Sequence, residues 1–132
     1  MKPVYIADDS ADQRYLLGYF IKRIYPEHPV VFFERAQTLL DTLSTGIETG
    51  AVPPMVIFLD LQMPGIDGYK TLQIIKQLHI IDKKWAEVPV IIYSSYSEQD
   101  VIQKCLDAGA LAFLQKPVDL NELKNLLISL QP

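Results

Sequence analysis

Three carboxylates, a hydroxyl and an ammonium group each lie at or just after the end of a short apolar run, a pattern typical of residues at the end of a buried strand. In a parallel sheet all carboxyl ends meet at one edge, where open α/β sheets bind their ligands. Clustered carboxylates raise one another's pKa unless a cation separates them, and Mg²⁺ prefers such oxygen ligands. A hydroxyl and a lysine beside them can bind the oxygens of an anionic group. The five residues are Asp8, Asp9, Asp60, Ser94 and Lys116.

Asp60 is the central residue of this set. The apolar stretch 55–59 leads directly into it, and Met63-Pro64-Gly65 then ends the strand, because proline has no N–H to donate and glycine tolerates positive φ. The carboxylate is therefore predicted on a rigid strand end beside a shaped loop. Together with the neighbouring acids, hydroxyl and lysine, this pattern predicts a phosphoryl-transfer site in which Asp60 is the nucleophile and Mg²⁺ shields its charge.

Strand and helix patterns alternate five times along the chain, which predicts a parallel sheet with helices on both faces. Right-handed crossovers leave few arrangements for five strands, and the order 2-1-3-4-5 is the commonest. The predicted fold class is α/β, a flavodoxin-like (βα)5 doubly wound sandwich. The predicted strands are 4–7, 30–33, 55–60, 90–93 and 111–115. The first predicted helix begins after its cap Ser10 and ends before Pro26, and the next two run from 36 to about 45 and from 68 to about 79. The fourth is capped by Ser97 and runs through Ala108, and the last begins after Asp119.

Five further residues are predicted to take no part in the chemistry of the site. Cys105 lies on the apolar stripe of a helix and is predicted to fill the core. Trp85, in a polar connection over 82–89, is predicted to anchor that connection by packing. His28 and His79 lie at predicted helix ends and are interpreted as surface residues. Gly46 is expected just beyond the end of the second helix.

Length and composition favour one domain over residues 1–132, without a second domain. The formal net charge is −4 and the sequence pI is about 5.0, and no Lys/Arg cluster is present, so nucleic acid is not an expected partner. No apolar run reaches the ~20 residues of a membrane span, and the first residues lack the apolar segment of a signal peptide. A single cysteine excludes an internal disulfide and suits a cytoplasmic location.

These motifs resemble the receiver domain of two-component response regulators. The resemblance extends over essentially the whole chain, with each motif in the family's order at the end of the corresponding predicted strand. Each motif by itself is weak evidence for this family, but their combination is specific to it. The motifs are the pair Asp8-Asp9, Asp60 followed by Met63-Pro64 and Asp67-Gly68, Ser94, and Lys116-Pro117.

The resemblance implies that Asp60 accepts a phosphoryl group from a phosphohistidine of a sensor histidine kinase or histidine phosphotransfer protein. It implies that Asp9, Asp60 and the backbone carbonyl of Gln62 hold Mg²⁺, with Asp8 contacting the ion through water. Ser94 and Lys116 would bind phosphoryl oxygens. The peptide bond between Lys116 and Pro117 is a candidate for the cis form, which is essentially confined to proline.

The resemblance also implies a switch. Phe113 matches the family's switch aromatic, which would move inward as Ser94 is drawn toward the phosphoryl group. This movement would change the face formed by the fourth predicted helix, the fifth strand and the last helix, where a downstream effector would bind. The regulator would act as a monomer or as a phosphorylation-dependent homodimer, not as an ordinary enzyme.

Two residues are predicted to set the lifetime of the phosphoryl group. The Gln62 amide could orient a hydrolytic water, whereas the bulky Tyr96 could screen the phosphoryl group from water. We expect Tyr96 to dominate and self-dephosphorylation to be slow.

Three alternative functions compete with the receiver. A phosphatase of the haloacid dehalogenase type needs a general acid two residues after its nucleophile, where this chain has the amide of Gln62. A flavodoxin-like cofactor site would place phosphate against the acids that follow the first strand, which would repel it. A degenerate receiver that binds partners without phosphorylation remains the main alternative, although the complete set of site residues argues against it.

Overall fold

The five apolar runs form one parallel sheet in a computed structural model of the chain, which describes residues 1–63, 65–95 and 98–130. The strand order β2-β1-β3-β4-β5 confirms the predicted fold class. Each strand lies within one residue of its predicted bounds. The strands are β1 (Val4–Ala7), β2 (Val30–Phe33), β3 (Val56–Asp60), β4 (Val90–Ser94) and β5 (Ala112–Gln115).

Helices cover both faces of the sheet, so every residue of β3 and β4 is buried, including the polar residues Asp60 and Ser94 at their ends. Four helices pack on one face and two on the other. The helices are α1 (Ala11–Ile24), α2 (Ala36–Thr49), α3 (Gly68–Ile81), α4 (Lys83–Ala86), α5 (Gln99–Asp107) and α6 (Leu120–Ser129).

The sheet separates two hydrophobic cores. The α2–α5 core contains apolar residues of α2, α3, α4 and α5 together with Tyr5, Ala7, Ile57 and Leu59 of the sheet. The α1/α6 core contains residues of α1 and α6 together with the alternate strand positions, among them Ile6, Phe58 and Tyr93. Successive side chains of a strand point to opposite faces, so each strand contributes to both cores.

The second helix is longer than predicted. It continues past Gly46 to Thr49 and ends at Gly50, whose φ of 72° is the left-handed conformation that favours glycine. Gly46 is instead a buried contact inside the helix, where an added Cβ would lie 2.9 Å from the ring of Trp85. Trp85 itself lies in the short helix α4 and is 2% exposed, which confirms its predicted packing role.

The interpretation of His79 as a surface residue was wrong. Helix α3 continues to Ile81, and His79 is 3% exposed on the same side as Leu72 and Ile75. His28 is partly exposed, with its Nδ1 2.8 Å from the carbonyl oxygen of Lys2. Cys105 is buried in the α2–α5 core, as predicted. The predicted helix cap Ser97 lies outside the described residues.

Candidate functional site

Parallel pairing brings the predicted site residues to one edge of the sheet. Asp8 follows β1, Asp60 ends β3, Ser94 ends β4 and Lys116 follows β5. Strands β1 and β3 are neighbours, with Ala7 paired to Leu59, so the carboxylates that follow these two residues lie side by side.

The three predicted acids form a cluster. Asp8, Asp9 and Asp60 each offer one carboxylate oxygen, and these oxygens lie within 4.8 Å of one another. Asp8 and Asp60 are buried, whereas Asp9 is exposed. Backbone N–H groups hold the two buried carboxylates, since Ser10 donates to Asp8 Oδ1 at 2.9 Å and Gln62 to Asp60 Oδ1 at 3.1 Å. Closely spaced carboxylate oxygens, one of them on an exposed residue, suit a hard divalent cation such as Mg²⁺.

Lys116 joins the two buried acids. Its Nζ lies 2.9 Å from Asp8 Oδ2 and 3.3 Å from Asp60 Oδ2, and its side chain is 9% exposed. The backbone N–H of Lys116 donates to the Ser94 carbonyl at 2.8 Å, which ties the end of β5 to the end of β4. The peptide bond between Lys116 and Pro117 is cis, the form for which the resemblance makes it a candidate.

The pKa values of the two buried acids are shifted in opposite directions. Burial raises the pKa of the Asp60 carboxyl to about 6, despite the opposing effects of the Gln62 N–H and the Lys116 ammonium group. Burial also acts to raise the pKa of Asp8, but hydrogen bonds from the Ser10 N–H, Lys116 and Tyr93 outweigh it, and the pKa of Asp8 lies below its usual range. Asp8 is therefore fully ionised near neutral pH, whereas metal-free Asp60 is poised to bind a proton or a cation.

Two residues that contact Asp8 were not predicted. The Tyr93 hydroxyl donates to Asp8 Oδ2 at 2.7 Å, and burial, followed by the charge of Asp8, raises the pKa of this tyrosine. Arg14 donates to the Asp8 backbone carbonyl at 2.7 Å and pairs with Glu34 at 3.3 Å. The alternation of side chains along the strands could have identified Tyr93. Asp8, Asp60 and Tyr93 occupy the alternate positions whose side chains lie on the α1/α6 side of the sheet.

The loop after Asp60 is held against the strand by Asp67 and Gly68. Asp67 caps α3 by accepting the Lys70 N–H at 2.8 Å, and the Gly68 N–H donates to the Leu61 carbonyl at 3.1 Å. An added Cβ at Gly68 would overlap the Leu61 Cα and would lie 2.9 Å from the Asp60 carbonyl oxygen. Only glycine allows the first turn of α3 to approach the strand end so closely.

We therefore expect Gly68→Ala to lower the free energy of unfolding by about 1–3 kcal/mol, the usual range for forced overpacking. Chemical denaturation measures this change, with the exposed Lys70→Ala on the same helix as the control. A Gly68→Ala domain as stable as the control variant would contradict the close approach.

The contacts described above do not test the predicted roles of Phe113, Gln62 and Tyr96. Phe113 is half-buried and packs against the α2–α5 core, and its switching role stays a prediction. The role of the Gln62 carbonyl as a metal ligand also stays a prediction. Tyr96 and Pro64 lie outside the described residues.

The geometry can be compared with known proteins. The family model for the response regulator receiver domain matches residues 4–128. The chain belongs to the receiver domain family. This receiver is 36% identical over 72 residues to sporulation initiation phosphotransferase F of Bacillus subtilis. The matched region covers 54% of this chain and 53% of that protein. The receiver thus spans about half the length of that relative and a smaller share of several others.

Solved structures show the same fold. The receiver matches the CheX-CheY-BeF3-Mg complex of Borrelia burgdorferi with a TM-score of 0.80 at 22% identity, over 97% of this chain and 87% of that one. It matches the complex of the Saccharomyces cerevisiae phosphotransfer protein Ypd1 with the Ssk1 receiver domain with a TM-score of 0.77 at 22% identity, over 92% and 83% of the chains. No helix in the described part of the receiver is long and apolar enough to cross a bilayer.

Proposed function

We propose that this receiver accepts a phosphoryl group on Asp60 in two-component phosphorelay signalling. The observation that carries the proposal is the position of Asp60, which ends β3 with its carboxylate between the Lys116 ammonium group and the acids Asp8 and Asp9. Receivers act in phosphorelays, and the similarity to a phosphotransferase and to a receiver solved with a histidine phosphotransfer protein supports this role.

In the proposed reaction, an Asp60 carboxylate oxygen attacks the phosphorus of a phosphohistidine. The new P–O bond forms as the P–N bond breaks, and the electron pair of that bond stays on the imidazole nitrogen of the donor. Asp9, Asp60 and the Gln62 carbonyl would hold Mg²⁺, with Asp8 acting through water, and the bound ion would reduce the repulsion between carboxylate and phosphate. The acidic cluster and a fold neighbour solved with BeF3 and Mg support this assignment.

Lys116 and Ser94 would bind oxygens of the transferred group. Lys116 Nζ lies 3.3 Å from Asp60 Oδ2, within reach of a phosphoryl group on that side chain. Once the group has been transferred, Asp60 Oδ2 loses most of its charge, so Lys116 would turn toward the phosphoryl oxygens. Asp8 would keep the lysine in place meanwhile, because it is the nearer of the two acids, at 2.9 Å.

The proposal also includes the phosphoryl donor and the downstream effector. The donor would be a sensor histidine kinase or a histidine phosphotransfer protein, and the effector would bind the face of α5, β5 and α6 after Ser94 and Phe113 rearrange. Slow dephosphorylation set by Gln62 and Tyr96, a stand-alone domain organisation, a cytoplasmic location and a monomer or phosphorylation-dependent dimer stay predictions.

Intact mass after incubation with Mg²⁺ and acetyl phosphate tests the proposal. We expect the wild type to gain one phosphoryl group, and we expect this gain to be lost in EDTA and in Asp60→Asn. A folded wild type that binds Mg²⁺ but gains no mass would favour the degenerate receiver, which binds its partners without phosphorylation.

A further inference from the structure

Tyr93 is a buried polar residue to which neither the family motifs nor the proposed reaction assigns a role. It precedes Ser94 at the end of β4 and pairs with Asp60 of β3. Its side chain is fully buried, its hydroxyl donates to Asp8 Oδ2 at 2.7 Å, and its ring lies 4.7 Å from Lys116 Nζ. One side chain thus contacts both the first acid of the cluster and the lysine.

Within the described part of the chain, three donors contact the Asp8 carboxylate. Oδ1 accepts the Ser10 N–H at 2.9 Å, while Oδ2 accepts both the Tyr93 hydroxyl and Lys116 Nζ, at 2.7 and 2.9 Å. Lys116 is shared with Asp60, so it cannot fix the plane of Asp8 without also being drawn toward the second acid. Among these donors, the Tyr93 hydroxyl is the side-chain donor that bonds to Asp8 alone.

We propose that Tyr93 is a positioning residue for a divalent cation held by the acidic cluster, because its hydroxyl fixes the orientation of the Asp8 carboxylate. This inference rests on the proposed function, in which the cluster binds Mg²⁺. Outer-shell partners of a metal ion usually contribute about 10- to 100-fold to its affinity, and Asp8, which would contact the ion through water, is such a partner. Loss of the Tyr93 hydroxyl should therefore weaken Mg²⁺ binding even though the tyrosine does not touch the ion.

Tyr93→Phe isolates the hydroxyl, because phenylalanine keeps the ring beneath Lys116. We expect the Mg²⁺ dissociation constant of this variant to rise about 10-fold. Titration of the metal-free protein with MgCl2, followed through the backbone amide signals of Asp9 and Gln62 by NMR, measures the constant without any phosphorylation.

Tyr25→Phe is the matched control. The Tyr25 hydroxyl donates to the Leu127 carbonyl at 3.0 Å, so this variant also loses a hydrogen bond at the α1/α6 core, but one without contact to the acids. We expect both variants to lose stability and only Tyr93→Phe to lose Mg²⁺ affinity. In an Asp8→Asn background, the effect of Tyr93→Phe on Mg²⁺ affinity should fall below about twofold, because the oriented carboxylate is gone.

The outcomes separate this inference from the proposed function. Wild type that binds Mg²⁺ with the same constant as Tyr93→Phe overturns the positioning role alone, whereas wild type that does not bind Mg²⁺ overturns both. An equal loss of affinity in Tyr25→Phe also overturns the positioning role. Tyr93→Met, which lacks the hydroxyl but fills the core, serves as a second variant if Tyr93→Phe does not fold.

Discussion

Asp60→Asn is expected to raise the free energy of unfolding of the metal-free receiver by about 2–3 kcal/mol at pH 7. The carboxyl has a pKa of about 6 in the folded chain against 3.8 for its ordinary value, because burial disfavours its charge. A shift of one pKa unit corresponds to about 1.4 kcal/mol, and Asp60 is only 2% exposed, so solvent does not screen the effect. The amide carries no charge to bury.

The sign of the pH dependence follows from the raised pKa. The contribution of Asp60 to stability is fully present below about pH 4 and is lost as the pH rises through 6, where the folded carboxyl ionises. The stability difference between Asp60→Asn and wild type should therefore grow between pH 4 and pH 7. Urea denaturation in EDTA measures it, with the exposed Glu48→Gln as the control. A difference that is the same at pH 4 and pH 7 would rule out this origin.

His79→Leu is expected to stabilise the receiver by about 1–3 kcal/mol at pH 7. Among the described residues, neither ring nitrogen of the buried His79 has a hydrogen-bond partner. An unsatisfied buried polar group costs about 1–3 kcal/mol, and leucine removes that cost at similar volume. Urea denaturation measures the change, and His28→Leu, at a partly exposed ring that contacts the Lys2 carbonyl, is the control that should not gain stability.

The stabilisation by His79→Leu should increase on acidification. Burial, with a smaller effect of Lys76, lowers the pKa of His79 to about 4 from 6.5, so the unfolded chain binds the extra proton between these values. The free energy of unfolding of the wild type therefore decreases as the pH falls from 6.5 to 4, by up to about 1.4 kcal/mol per pH unit from His79. A gain at pH 5 no larger than the gain at pH 7 would contradict the assignment.

These two titrations act in opposite directions over the same pH range. Asp60 makes wild type less stable as the pH rises from 4 to 6, and His79 makes it more stable. Their effects nearly cancel in the metal-free wild type, and each single variant should reveal the slope that the other residue causes. Asp60 ends β3 beside the first turn of α3, whereas His79 lies in the last turn of that helix, so the two stability changes should be nearly additive.

Most of the site followed from the sequence because it depends on strand ends. Asp8, Asp60, Ser94 and Lys116 are each preceded by an apolar run, and parallel pairing then places all four at one edge. The fold followed for the same reason, since strict alternation of strands and helices allows few topologies. No side-chain geometry was needed for either prediction.

Tyr93 and His79 show what the patterns did not reveal. Tyr93 was interpreted as an apolar strand residue, and only the register that pairs it with Asp60 brings its hydroxyl to Asp8. His79 has helical spacing from Leu72 and Ile75, which puts it on the buried side, but its polarity and its place near the helix end outweighed that spacing. Gly46 was interpreted as a helix end because glycine often follows the last turn of a helix. Its actual role, packing against Trp85, is a long-range contact that a local sequence pattern does not reveal.

The two cores on opposite faces of the sheet constrain how the proposed switch could work. The predicted phosphoacceptor Asp60 occupies a strand position on the side of the α1/α6 core, whereas Phe113 packs against the α2–α5 core. In the proposed switch, a change at Asp60 would therefore have to cross the plane of the sheet to reach Phe113. Tyr93 and Ser94 end β4 on opposite sides of that plane, so a rigid-body twist of this one strand end would move a residue of each layer at once.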